Sequence, residues 1–142
     1  TIASYAAFFP RHEVRAPAAT YTPSSSSSQW IPYDATHIQA LLSEGTPVFI
    51  EYTAKWCLIC QVNAPIIKSQ EVEDAFRNKK VATFRADWTS HDAEITKSLS
   101  SYGRAGVPLY LLLDPSGEVH ILPQMLTKNI ILSTLDNLSY DD

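Results

Sequence analysis

The chain has 142 residues, 45% of them hydrophobic and 18% charged, with a formal net charge of −4. That is the size and composition of one globular domain with a tail, large enough to bury a core without disulfide staples. The acidic balance and the lack of any Lys/Arg run exclude a nucleic-acid footprint or an anionic-membrane patch, and no apolar stretch approaches the roughly 18–20 residues of a transmembrane helix.

Residues 1–30 read as a flexible linker. They hold Pro10, Pro17 and Pro23, the stretch Ala16-Pro17-Ala18-Ala19 and a serine run from Ser24 to Ser28, a composition that cannot bury apolar surface. The opening Thr1-Ile2-Ala3-Ser4-Tyr5-Ala6-Ala7-Phe8-Phe9 lacks the basic start of a secretory signal. With no initiating Met it reads as a processed product or an excised piece, with room for a membrane anchor upstream. Order is expected from about Trp30, and residues 31–142 read as the folded domain.

Asp34 is placed to cap a helix over His37, Ile38, Ala40, Leu41 and Leu42, stopped by Gly45. Pro47-Val48-Phe49-Ile50-Glu51-Tyr52 reads as a buried strand with one acid inside it. A helix follows from Trp56 to about Ser69, with Val62, Ile66 and Ile67 near one face and Pro65 kinking it. Glu71 to Phe76 continues as a helical turn, and Val81 to Asp87 is a second strand. His91 to Tyr102 is a helix ended by Gly103, and Val107-Pro108-Leu109-Tyr110-Leu111-Leu112-Leu113 a third strand. Asp114-Pro115-Ser116-Gly117 turns the chain into a return strand, Glu118 to Leu122, and Thr127 caps a last helix carrying Ile130, Ile131, Leu135 and Leu138. The order α-β-α-β-α-β-β-α predicts an α/β fold. Its sheet is mixed, parallel at first and closed by an antiparallel hairpin, with helices on both faces.

Only two cysteines occur, Cys57 and Cys60, as Cys57-Leu58-Ile59-Cys60. The pair follows a buried strand and opens a helix. There a thiolate meets unpaired backbone N–H groups and the positive end of the helix dipole, which favours the ionised nucleophile. On this reading Cys57 attacks and Cys60, one turn further in, resolves, so that the working group is the disulfide itself and no other cofactor is needed. Two plainer readings stand beside it. A zinc half-site would need further ligands, yet no second Cys pair or His-x₃₋₅-His exists and His37, His91 and His120 lie scattered. A structural disulfide across two residues would remove little chain entropy.

The segment Glu51-Tyr52-Thr53-Ala54-Lys55-Trp56-Cys57-Leu58-Ile59-Cys60-Gln61 resembles the active-site segment of thioredoxins. It is most similar to the C-terminal periplasmic domain of the bacterial membrane reductase DsbD and its relatives. The resemblance runs over roughly residues 34–138 and implies a thioredoxin-like fold. It implies that Pro65 kinks the active-site helix, that the Val107-Pro108 bond is cis and faces the dithiol, and that Glu51 is a buried acid. A cis bond would expose the Val107 backbone to a substrate strand beside Cys57; a trans, strand-starting Pro108 is the alternative. A buried Glu51 would exchange protons with Cys60 during resolution; the alternative is an acid facing solvent at a strand edge. Trp56 would cover one side of the dithiol, and the apolar Leu58-Ile59 would form part of a docking surface.

In function the resemblance implies a protein-disulfide reductase or electron-relay domain of the bacterial periplasm, of the kind that serves cytochrome c biogenesis. It would take electrons from a membrane-embedded dithiol donor and pass them to the disulfide of a soluble envelope acceptor; the sequence carries no oligomeric signal, so a monomer is the default. An oxidase or isomerase of the same fold, and a non-catalytic binding or metal-handling module, are the competing classes. Two departures bear on this. Gln61-Val62-Asn63-Ala64 carries no carboxylate where DsbD-type domains tend to have one after the second cysteine, and Lys55 replaces an acid before the Trp. A cation at Lys55 should favour the Cys57 thiolate.

Overall fold

The computed structural model describes residues 30–138; residues 139–142 and all of the expected linker except Trp30 lie outside them. In chain order the elements are β1 (Ile31–Pro32), α1 (Ala35–Ser43), β2 (Val48–Thr53), α2 (Leu58–Ile67), α3 (Gln70–Asn78), β3 (Ala82–Asp87), α4 (Ala93–Ser101), β4 (Leu109–Leu113), β5 (Val119–Ile121) and α5 (Lys128–Asp136).

The strands form one sheet ordered β1-β3-β2-β4-β5. β1 and β2 run parallel to β3, while β4 is antiparallel to both β2 and β5. β2 is therefore the central strand. Alternation along it sends Val48, Ile50 and Tyr52 into one core with Ile38 of α1 and Ile95 and Leu99 of α4. Phe49 points to the other core, which is closed by Ile67 of α2, Val72 and Phe76 of α3, and Ile131 and Leu135 of α5. This is the expected mixed sheet with helices on both faces. Among the described residues no helix is long and apolar enough to cross a membrane.

Local chemistry sets the helix ends. Asp34 accepts from His37 N, Asp92 from Glu94 N and Ile95 N, and Thr127 from Ile130 N, each satisfying donors that an N-terminus leaves open. Gly45 and Gly103 follow their helices at positive φ, +88° and +74°, the left-handed conformation that terminates a helix at least cost with glycine.

Three expectations need correction. The run from Trp56 to Ser69 is shorter at both ends, and α3 is a separate nine-residue helix rather than a continuing turn. The buried row of α2 is Cys60, Asn63 and Ile67, whereas Val62 is 50% exposed; the helix is rotated so that its second cysteine faces the core. An extra strand, β1, precedes α1 at the sheet edge, where Pro32 has no ladder hydrogen bond to lose.

Trp30 is built into the fold. Its ring stands edge-on to Phe49 and Phe76, Nε1 donates to Glu73, and the Arg85 guanidinium lies 5.1 Å from its centroid. Trp30→Ala should cost about 2 kcal/mol, below the 3–5 kcal/mol of a wholly buried tryptophan because the ring is half-buried. Urea denaturation at unchanged m-value checks it; an unaltered midpoint would mean that the ring adds nothing.

Candidate active site

Cys57 is the N-cap of α2 and is disulfide-bonded to Cys60. Its Sγ accepts from the Cys60 backbone N–H at 3.2 Å. A cap position gives the sulfur an inward-pointing donor and the positive end of the helix, so the reduced form is favoured as thiolate at Cys57. Cys57 is 8% exposed and Cys60 1%, which leaves Cys57 as the sulfur a partner can approach. Ala54 and the partly buried Val107 pack against the pair, and the Val107-Pro108 bond is cis. The start of β4 is thus brought beside the dithiol, and the trans alternative for Pro108 is set aside.

Glu51 lies on the central strand, 3% exposed, so it does not face solvent at an edge. Nor is it solitary. The parallel register sets it opposite Arg85, whose Nε donates to Oε1 at 3.0 Å. The guanidinium offsets the cost of placing a carboxylate among apolar groups. Glu51, Arg85 and Cys60 together line a cleft of about 280 Å³, along with Lys55, Lys68 and Asp87. The buried acid and the second cysteine thus border the same cleft.

Trp56 is exposed but held. Its Nε1 donates to Thr89 O at 3.1 Å, its ring is stacked on His91 with centroids 5.6 Å apart, and Trp88 lies at 5.9 Å. Thr89 is in turn fixed by Asp87, which accepts from both its N–H and its hydroxyl, while Lys55 N donates to the Thr89 Oγ1. Leu58 and Ile59 are exposed beside Cys57.

The Thr89 hydroxyl, followed by its backbone N–H, holds the Asp87 carboxyl below the usual aspartate range. A depressed folded-state value means that the stabilisation is present above the unfolded value, near 3.9, and is lost as pH falls through the folded one. Asp87→Asn should therefore unfold at lower urea than wild type at pH 7, with the two midpoints converging as the pH is taken toward 3. A gap that held constant would show that the carboxylate is not the stabilising group.

Sequence reasoning missed Arg85, His91, Thr89 and Asn63. Arg85 meets Glu51 only through the β2–β3 register, His91 entered only as one of three scattered histidines, and Thr89 and Asn63 were unmarked polar residues in a loop and on a helix.

A family model described as thioredoxin-like matches residues 29–115. Thioredoxin 1 of Synechococcus elongatus is 27% identical over 105 residues, covering 72% of this chain and 90% of that protein. The chloroplastic thioredoxin-like protein HCF164 of Oryza sativa subsp. japonica is 29% identical over 86 residues, 60% of this chain and 30% of that protein. Among solved structures, the reduced C-terminal domain of Neisseria meningitidis DsbD superposes with a TM-score of 0.61 at 20% identity, over 77% of this chain and all of that one. At that identity the likeness is one of fold.

Proposed function

The chain belongs to the thioredoxin-like family, carrying a Cys57–Cys60 disulfide of the kind that serves thiol–disulfide exchange, and we propose that it works as a reductase in an electron relay. The observation that carries the reading is Cys57 itself, a helix-capping sulfur that accepts from Cys60 N and is the more exposed of the pair.

In the reduced protein the Cys57 thiolate attacks one sulfur of a partner disulfide. A mixed disulfide forms and the partner's other sulfur leaves as thiolate, which takes up a proton. Cys60 then gives up its proton and attacks Cys57 Sγ, closing the intramolecular disulfide and releasing the partner's second thiol. Two electrons and two protons pass to the partner. Glu51, reached across the cleft, takes the Cys60 proton, and Arg85 keeps that carboxylate in place. Val107 and the start of β4 guide an extended partner segment past Cys57. Trp56, Leu58 and Ile59 supply apolar contact around it.

The donor is a membrane-embedded dithiol and the acceptor a soluble protein of the bacterial envelope, such as one of cytochrome c biogenesis, which places the chain in the periplasm. The likeness in fold to the DsbD domain supports this reading, and the kinship with thioredoxins supports the exchange chemistry it uses. The oxidase alternative rests on the same capping geometry, because thiolate stabilisation at a helix terminus favours the reduced dithiol. An equilibrium titration against glutathione decides. A midpoint near the roughly −270 mV of thioredoxins fits a reductase, and one toward about −120 mV makes the chain an oxidase.

A further inference from the structure

We propose that Asp114, Glu118 and His120 form a binding site for one divalent transition-metal ion, of the zinc class, at the turn between β4 and β5. The site stands apart from the dithiol and serves the fold, by tying the turn to the edge strand.

The turn is fixed by its own backbone. Asp114 N donates to Glu118 O at 2.9 Å and Gly117 N to Asp114 O at 2.8 Å. Gly117 takes φ +106°, a conformation that glycine adopts at little cost. The ladder continues with Leu113 opposite Val119 and Leu112 opposite His120. Asp114 is thereby set across from Glu118. Side chains alternate along a strand, so Glu118 and His120, two residues apart, leave the chain on the same face. One donor atom from each of the three side chains lies within 4.8 Å of the other two.

His120 supplies an independent sign. Its Nε2 is shut off from solvent, yet it has no hydrogen-bond partner among the described residues. Glu118 Oε1 stands 3.6 Å away, beyond hydrogen-bond reach. A buried polar atom normally finds a partner, and one left without pays the cost of desolvation. A bound cation supplies that partner. Two donors at about 2.0–2.2 Å from a tetrahedral ion stand roughly 3.3–3.6 Å apart, so the separation of Nε2 and Oε1 already suits a shared ion. The exposed Glu118 side chain can turn to close the wider gaps. Asp114 Oδ1 accepts from Ser116 N at 2.9 Å, which orients the carboxylate; its several lone pairs let it hold that bond and ligate as well. Water completes a four-coordinate set. A nitrogen beside two carboxylates suits zinc and its neighbours better than calcium or magnesium, which favour oxygen alone. Asp114 follows the last residue of β4, whereas cis-Pro108 precedes the first. At about 3.4 Å per residue the two are roughly 20 Å apart, so an ion here braces the hairpin without ligating Cys57 or Cys60.

The test titrates zinc chloride into the oxidised full chain, whose disulfide keeps both sulfurs from the metal. Calorimetry reads uptake and circular dichroism reads thermal unfolding. One Zn²⁺ per chain should bind, and the unfolding midpoint should rise with zinc concentration, because the ion binds the folded hairpin and not the unfolded chain. His120→Ala should abolish both effects. Glu118→Gln should weaken binding at least about tenfold, as even changes beside a metal's ligands do. No saturable uptake by the oxidised wild type would overturn the site, as would wild-type affinity in either variant. Zinc binding seen only after reduction would also overturn it, since the dithiol would then be the ligand. Glu118→Gln, a surface change, decides alone if His120→Ala does not fold.

Discussion

Cys57→Ser is expected to abolish disulfide exchange, with a loss on the order of a thousandfold or more, as when a covalent nucleophile is removed. Cys60→Ser should leave the first half of the reaction intact and stop the second. The asymmetry follows from position. Cys57 caps α2 and can be reached, whereas Cys60 sits 1% exposed in the row that faces the sheet. A hydroxyl at 57 keeps the cap but cannot supply a thiolate. Stability should therefore change little apart from the loss of the short disulfide loop. Insulin turnover checks the first substitution. Residual turnover by Cys57→Ser within tenfold of wild type would mean that Cys60 attacks directly.

The second large effect concerns Arg85. Arg85→Ala strands the Glu51 carboxylate on the central strand, 3% exposed, with its guanidinium partner gone. Breaking a fully buried pair costs about 3–5 kcal/mol. Here the arginine side chain is 33% exposed and the cleft admits water, so about 2–3 kcal/mol is expected. Glu51→Gln should cost less, near 1 kcal/mol, since the arginine left behind can turn toward solvent. The functional effect reverses that order. Glu51→Gln removes the group assigned to take the Cys60 proton and should lengthen the life of the mixed disulfide by at least about a hundredfold, the lower end for general-base catalysis. Urea denaturation reads the first comparison and quenched single-turnover kinetics the second. Equal destabilisation by the two changes, or a mixed disulfide resolved at the wild-type rate in Glu51→Gln, would remove the pair from the account.

How far these features could be read from the sequence depended on whether their signal was local. The dithiol, its place between strand and helix, the Asp34 and Thr127 caps and the Gly45 stop all lie within a few residues of what they act on. They appear in the structure as expected. The strands were recognisable as buried runs because β2 and β4 are covered on both faces. Glu51 stood out as an acid inside such a run. Its partner did not, because the pairing with Arg85 depends on the β2–β3 register, across 34 residues. Asn63 bonds to groups 47, 61 and 63 residues away and on a helix reads as an ordinary polar position. Val62 misled for a related reason. Apolar spacing along α2 suits Val62, Ile66 and Ile67, but the buried row is Cys60, Asn63 and Ile67, and Val62 faces outward. β1 spans two residues, one of them a proline, and is made a strand by its pairing with β3 alone.

The central claim is that Cys57 attacks and Cys60 resolves, and trapping tests it most directly. Reduced Cys60→Ser protein, mixed with a disulfide-bonded protein substrate and quenched with acid, should carry that substrate on Cys57 as a stable mixed disulfide, located by peptide mass mapping. The account predicts one adduct per chain at Cys57, and none in Cys57→Ser. An adduct that accumulates on Cys60 in Cys57→Ser, or no adduct in either variant, would contradict it.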